Sequence, residues 1–165
     1  MPILKTERLI LREFKANDAK SLYELNSDPE VIKYTGDPPF VSIEEAEEFI
    51  LNYDQYKKYG FGRWAVILKS NNEFIGWCGI KYTESLDEHD IGFRFFQKHW
   101  DKCYATESAA ACLHYALHTL NIEIVYGRAM KDNLSSIQVL KNIGMNYSHE
   151  IKFDGASGAV YFIKK

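Results

Sequence analysis

Between His89 and Ala109 the chain reads HDIGFRFFQKHWDKCYATESA. A strand-like segment over 90–97 ends in a short polar run, and from Tyr104 the apolar spacing becomes helical. The first N–H groups of such a helix have no intrahelical partner, and its dipole makes that end electropositive. A phosphate or pyrophosphate suits it, with small residues where backbone must come close. On spacing alone, an ordinary strand-to-helix turn reads equally well. Upstream, Asp90 is a carboxylate at a strand entrance, where a surface ion pair is the ordinary reading. Downstream, Asn133 caps a second helix. Ser136 is a first-turn hydroxyl able to bond its own backbone. Cys103 at a helix start invites the idea of a thiolate nucleophile, for which His99 is the near base; a tolerated small residue is the alternative.

Metal chemistry finds no support. Of the five histidines, His114 and His118 share i, i+4 spacing but lack the Glu of HExxH, and the three cysteines form no CxxC. No metal is expected.

These residues need a scaffold. Alternation over 7–14 predicts a strand, and Asn17 and Asp18 cap a short helix that ends before Pro29. A second short helix follows from Glu30. Ser42 with Glu45 is a capping box that opens a helix stopped by Gly60. Segments 62–69 and 73–82 read as a hairpin, followed by a strand over 90–97, a helix over 104–120 and a strand over 122–130. A helix from Asn133 closes at Gly144, and strands near 145–152 and 158–164 complete the chain. The order β-α-α-β-β-β-α-β-α-β-β predicts an α/β (α+β) domain with a mostly antiparallel sheet.

Composition bounds the rest. At 165 residues and 46% hydrophobic content, one domain over 1–165 with a full core is expected. Twenty Lys+Arg against 23 Asp+Glu leave no basic excess for a nucleic-acid partner. No apolar run approaches the ~20 residues of a membrane span. A charge early in MPILKTERLI interrupts any signal-like apolar stretch, so a cytoplasmic location and no membrane partner are expected. The aromatic run Tyr53, Tyr56, Tyr59, Phe61 fits core packing or the lining of a cleft.

Several segments carry a resemblance spanning nearly the whole chain. They are Thr6-Glu7-Arg8-Leu9-x-Leu11-Arg12, Asp28-Pro29-Glu30-Val31, Phe74-Ile75-Gly76, Asp90-Ile91-Gly92-Phe93, Trp100-x-Lys102-x-Tyr104-Ala105-Thr106-Glu107, and Asn133-x-x-Ser136 before Gly144. In this order and spacing they resemble the GCN5-related N-acetyltransferases (GNAT), in the branch of ribosomal-protein-alanine N-acetyltransferases. The resemblance implies that strands 90–97 and 122–130 splay apart to admit acetyl-CoA. It implies that the amides of Asp101, Lys102, Cys103, Tyr104, Ala105 and Thr106 cradle the pyrophosphate. The main chain of Phe93, Arg94 and Phe95 then holds the pantetheine arm, and Asn133 reaches it from the facing helix. The implied reaction is direct acetyl transfer to a primary amine, either a protein N-terminus or a small molecule. Alternatives are a polyamine- or aminoglycoside-type acceptor, or a CoA-binding domain without turnover. Asp90 and Ser136 are the catalytic candidates. The chain departs from the family pattern in four places. Cys103 stands at a usual Gly, Asp101 where Gly or Asn is common, Leu140 at a frequent Tyr, and Arg128 where some relatives carry a glutamate base. Either a monomer or a homodimer fits.

Overall fold

The computed structural model describes residues 1–153 and 155–165, with Phe153 in its main chain only. Eight strands form one sheet: β1 (Pro2–Lys5), β2 (Leu9–Arg12), β3 (Arg63–Leu68), β4 (Glu73–Thr83), β5 (Glu88–Phe95), β6 (Ile124–Met130), β7 (Asn146–Phe153) and β8 (Ala156–Lys164). Their order is β1-β2-β3-β4-β5-β6-β8-β7, antiparallel throughout except between β5 and β6. The helices are α1 (Ala19–Ser27), α2 (Pro29–Ile32), α3 (Ile43–Leu51), α4 (Gln55–Tyr59), α5 (Tyr104–His118) and α6 (Leu134–Asn142). Among the described residues no helix is long and apolar enough to cross a membrane.

Strand alternation assigns two faces. One carries Leu9, Leu11, Trp64, Val66, Ile75, Cys78, Ile80 and Ile91, which pack with Ala109, Cys112, Leu113 and Ala116 of α5 and Leu140 of α6 into the main core. The opposite face carries Ala65, Ile67 and Phe74, buried against Leu25 of α1 and Val31 of α2. Thus α5 and α6 lie on one side of the sheet, and α1 and α2 on the other.

The parallel pair gives the sheet its opening. Only His89↔Val125, Asp90↔Tyr126 and Ile91↔Gly127 are in register between β5 and β6. Beyond them β5 stays bonded to β4, through Phe93↔Cys78, Arg94↔Trp77 and Phe95↔Gly76. Over the same stretch β6 stays bonded to β8, from Arg128↔Val160 to Met130↔Gly158. Each strand is held on its outer side and free on its inner side, so the two diverge. The splay expected between 90–97 and 122–130 is present.

Three local expectations need correction. The helix opening at Ser42 ends at Leu51, because Asn52 leaves helical geometry (ψ 1°), and α4 is a separate turn of helix capped by Gly60 at φ 77°. β5 ends at Phe95, and Gln97–His99 form a 3₁₀ turn instead of continuing the strand. The four-residue β1 pairs antiparallel with β2, and its sequence PILK is too short to show alternation.

Candidate acetyl-transfer site

The gap between β5 and β6 is a cleft of about 620 Å³ that passes through the sheet. That volume lies within the range of small-molecule and cofactor sites. At one mouth stand the start of α5, with Asp101, Cys103, Tyr104, Ala105 and Thr106, and the α6 residues Ser136 and Val139. At the other mouth stand Glu30, Lys33, Tyr34 and Thr35, which belong to the α1–α2 face. Phe93, Arg94 and Phe95 form the wall between them.

The wall offers main-chain groups. Phe96 donates its amide to the Ile75 carbonyl on β4. By alternation, Arg94 also turns toward β4, while Phe93 and Phe95 turn toward the cleft. The Phe95 carbonyl is already taken, accepting from the Trp100 indole N–H at 2.8 Å. Free at the wall are therefore both main-chain groups of Phe93 and the amide of Phe95. Trp100 fixes the exit of β5 into the loop, a role that its position after the strand does not reveal.

The first i→i−4 bond of α5 runs from the Glu107 amide to the Cys103 carbonyl, so the amides of Tyr104, Ala105 and Thr106 have no partner within the helix. No side chain caps this end. Asp101 and Cys103 both adopt left-handed backbone, at φ 57° and 62°, the geometry that a glycine-rich loop reaches without strain. Asp101, Lys102 and Cys103 are exposed, so the Cys103 thiol does not pack inward. His99 is not its base: the buried imidazole places Nε2 3.2 Å from Glu73 Oε1, and its buried Nδ1 has no partner. Lys98 also pairs with Glu73, holding that carboxyl down at about 2. Lys102 donates to the Lys98 carbonyl at 2.8 Å, across the loop from Asp101.

The helix start is tied to the far end of the chain. Glu107 accepts from the Thr6 hydroxyl at 2.6 Å, from the Arg8 amide at 2.9 Å and from Arg8 Nε at 2.7 Å. Burial would raise the Glu107 carboxyl, but these hydrogen bonds outweigh it and hold it below the usual range. The Arg8 guanidinium also sits 4.5 Å from the centroid of the Tyr104 ring. The partners of Glu107 lie about a hundred residues away and leave no local signal in the sequence.

Asp90 is not among the cleft-lining residues. Its carboxylate pairs with the Arg63 guanidinium, which also donates to the Asp90 carbonyl at 2.9 Å. Arg63 lies where a Cβ on Gly92 would stand, 2.7 Å from Cζ, so that glycine provides its socket. The expectation that Asp90 meets the acceptor amine is therefore not supported by this geometry. Arg128 pairs with Glu88, so no glutamate base stands on β6 at that position either. Tyr53 and Tyr56 belong to the framework, since the Tyr53 hydroxyl accepts from the Arg63 amide at 2.7 Å and the Tyr56 hydroxyl donates to the Arg63 carbonyl. Burial pushes both phenols up, and neither lines the cleft.

Asn133 caps α6, its Oδ1 accepting from the Ser136 amide at 3.2 Å. Ser136 and Val139 face the cleft one turn apart, a stripe visible in the sequence once Asn133 is read as the cap. Leu140 turns away into the core at 2% exposure. Its Cδ2 would lie 2.6 Å from a Cβ on Gly127, so this position presents no hydroxyl to the cleft. Nothing in the sequence places Glu30, Lys33, Tyr34 and Thr35 at a cleft, because the packing of α2 on the sheet brings them there. Among the described residues no cluster of three metal-ligating side chains occurs.

Known proteins share this fold. Residues 8–146 match the family model described as an acetyltransferase (GNAT) domain. An uncharacterized N-acetyltransferase, p20, of Bacillus licheniformis is 31% identical over 145 residues, covering 87% of this chain and 82% of the relative. The crystal structure of a GNAT-family acetyltransferase from Bacillus anthracis superposes with a TM-score of 0.84 at 26% identity, covering 98% of this chain and 97% of that one. Spermidine N-acetyltransferase from Vibrio cholerae, solved with CoA and spermine, shares the fold at 17% identity and a TM-score of 0.80, over 96% of each chain. The family match over most of the chain and the relative at 31% identity show that the chain belongs to the GNAT acetyltransferases, a family of acetyl-transferring enzymes.

Proposed function

We propose that this chain is an acetyl-CoA-dependent N-acetyltransferase acting directly on a primary amine, a protein N-terminus or a small molecule. The observation that carries the reading is the cleft that crosses the sheet, with uncapped helix amides at one mouth and a separate mouth on the α1–α2 face. Two mouths allow two substrates to meet in a ternary complex without a covalent enzyme intermediate. The residues present fit the cosubstrate: unpaired amides at Tyr104–Thr106 suit a pyrophosphate, and the free strand edge at Phe93 and Phe95 suits an extended, amide-bearing chain.

Bound acetyl-CoA supplies an activated thioester. The amides of Tyr104, Ala105 and Thr106 bind its phosphates, with Asp101, Lys102 and Cys103 shaping the loop. The main chain of Phe93 and the Phe95 amide align the pantetheine arm along β5. A strand amide, fixed before reaction, donates to negative charge developing on the acyl oxygen. Asn133 approaches the arm from α6, and the Ser136 hydroxyl donates to the departing sulfur. A thiol with pKa near ~8.5 is a fair leaving group that needs little help.

Asp90 supports the wall through Arg63, and the amine loses its proton to water. This favours an acceptor whose amine is easily neutralised. A lysine-like amine near ~10.4 costs about 4.6 kcal/mol to deprotonate at pH 7, an α-amine near ~7.8 about 1 kcal/mol. A polyamine acceptor is the second reading, motivated by the spermine-bound fold relative. It ranks lower because Glu88, Asp90 and Asp37 each pair with an arginine, which leaves Glu30, paired with Lys33 at 3.9 Å, as the one carboxylate among the described residues at that mouth.

The test is calorimetric titration with acetyl-CoA, followed by assay of CoA release against a panel of amines. Micromolar binding with amine-dependent release is the expected result. No binding up to millimolar acetyl-CoA overturns the reading.

A further inference from the structure

Arg94 lies on the cleft wall, and its side chain leaves β5 on the α1–α2 face, where the second mouth opens. The side chain is 9% exposed. Its guanidinium donates from Nη1 to the buried Asn26 side chain and from Nη2 to Asp37 Oδ2 at 2.7 Å, and lies 5.2 Å from the centroid of the Trp77 ring.

The pair is lopsided. Asp37, on the α2–α3 connection beside Gly36 at φ 72°, keeps 62% of its side chain exposed. On the same face Arg12, Arg63 and Arg128 pair with Asp18, Asp90 and Glu88, carboxylates buried to a similar degree as themselves. A buried guanidinium must keep an anion, whereas an exposed carboxylate is well solvated without the cation. Asp37 lies two residues past Thr35 of the mouth, and exchanging it for another carboxylate that reaches the guanidinium leaves the number of ion pairs unchanged.

We propose that Arg94 is a specificity-determining residue that binds a carboxylate carried by the acceptor, and that Asp37 stands in that place until the acceptor arrives. The acceptor class is an amine bearing a free carboxylate, of the amino-acid type. This rests on the acetyl-transfer reading above. A seated Asp37 is an intramolecular competitor, so it lowers apparent acceptor affinity by the fraction of time it occupies Arg94.

The experiment uses the full chain with saturating acetyl-CoA, and measures kcat/KM by CoA release for the common amino acids, their α-carboxamides and spermidine. The amino-acid-to-carboxamide ratio, compared between wild type and variant, cancels the intrinsic reactivity of each amine. Asp37→Asn is expected to raise that ratio about fivefold, and Arg94→Gln to lower it about tenfold. An unchanged ratio in Asp37→Asn overturns the proposal, and that surface variant decides alone if Arg94→Gln does not fold. Turnover of spermidine or carboxamides without any of amino acids also overturns it, as does acetyl-CoA binding with no turnover of any of these amines. Failure to bind acetyl-CoA at all overturns the acetyl-transfer reading instead, and calorimetry distinguishes that outcome.

Discussion

Arg8 Nε and Glu107 Oε2 lie 2.7 Å apart although 99 residues separate them in the chain. The contact binds the β1–β2 turn to the first turn of α5, the helix whose amides face the cleft. The start of the chain thereby helps to hold the phosphate-facing loop in place.

Replacing Glu107 by Gln places an amide against donors that need an acceptor. It should cost about 1–3 kcal/mol of stability and weaken acetyl-CoA binding several-fold, as read by chemical denaturation and calorimetry. The Glu107 carboxyl is held below its unfolded value. Its contribution is therefore fully present above the unfolded pKa near ~4.3 and lost as pH falls through the lower folded value. The gap between wild type and Glu107→Gln should narrow as pH drops below about 4.

Cys103 holds φ 62°, a conformation costing about 1 kcal/mol for a residue with a Cβ. Cys103→Gly removes that strain and opens the approach to the loop, while adding freedom to the unfolded chain. Acetyl-CoA affinity should rise, with stability higher by at most about 1 kcal/mol. Asp101→Asn keeps a residue tolerant of left-handed backbone and deletes a charge. It should tighten binding more at low than at high salt, as titrations at two ionic strengths would show.

Asp90→Asn leaves the Arg63 guanidinium without its counter-charge and should destabilise the protein by about 2–4 kcal/mol. The acid limb of the pH profile of kcat/KM should survive the substitution. Loss of that limb would return Asp90 to the role of base.

Leu140→Tyr is not expected to supply the hydroxyl that the family resemblance associates with this position. The side chain packs tightly over Gly127, so overpacking should cost about 1–3 kcal/mol, with no gain in kcat. A denaturant midpoint beside a rate measurement separates the two effects.

Much of this was legible in residue order. The switch from alternation at 90–95 to helical spacing at 104 marks β5 and α5, and Asn133 with Gly144 brackets α6. These are local signals, carried by side-chain period and by caps. The break between α3 and α4 was hidden because Tyr53 and Tyr56 continue the apolar look of a helix while they satisfy the backbone of Arg63. The partners of Asp90, Glu107 and Arg94 were illegible for another reason. Each pair joins residues 27 or more positions apart, and which charges meet is decided by sheet register and by the face on which a side chain emerges.

The socket under Arg63 also limits how this sequence can drift. Any side chain at Gly92 would meet the guanidinium, and any change at Arg63 would strand Asp90. Single steps at these three positions are therefore costly, and concerted replacement is the easier route. Covariation of positions 63, 90 and 92 among close relatives would be the historical trace of that packing.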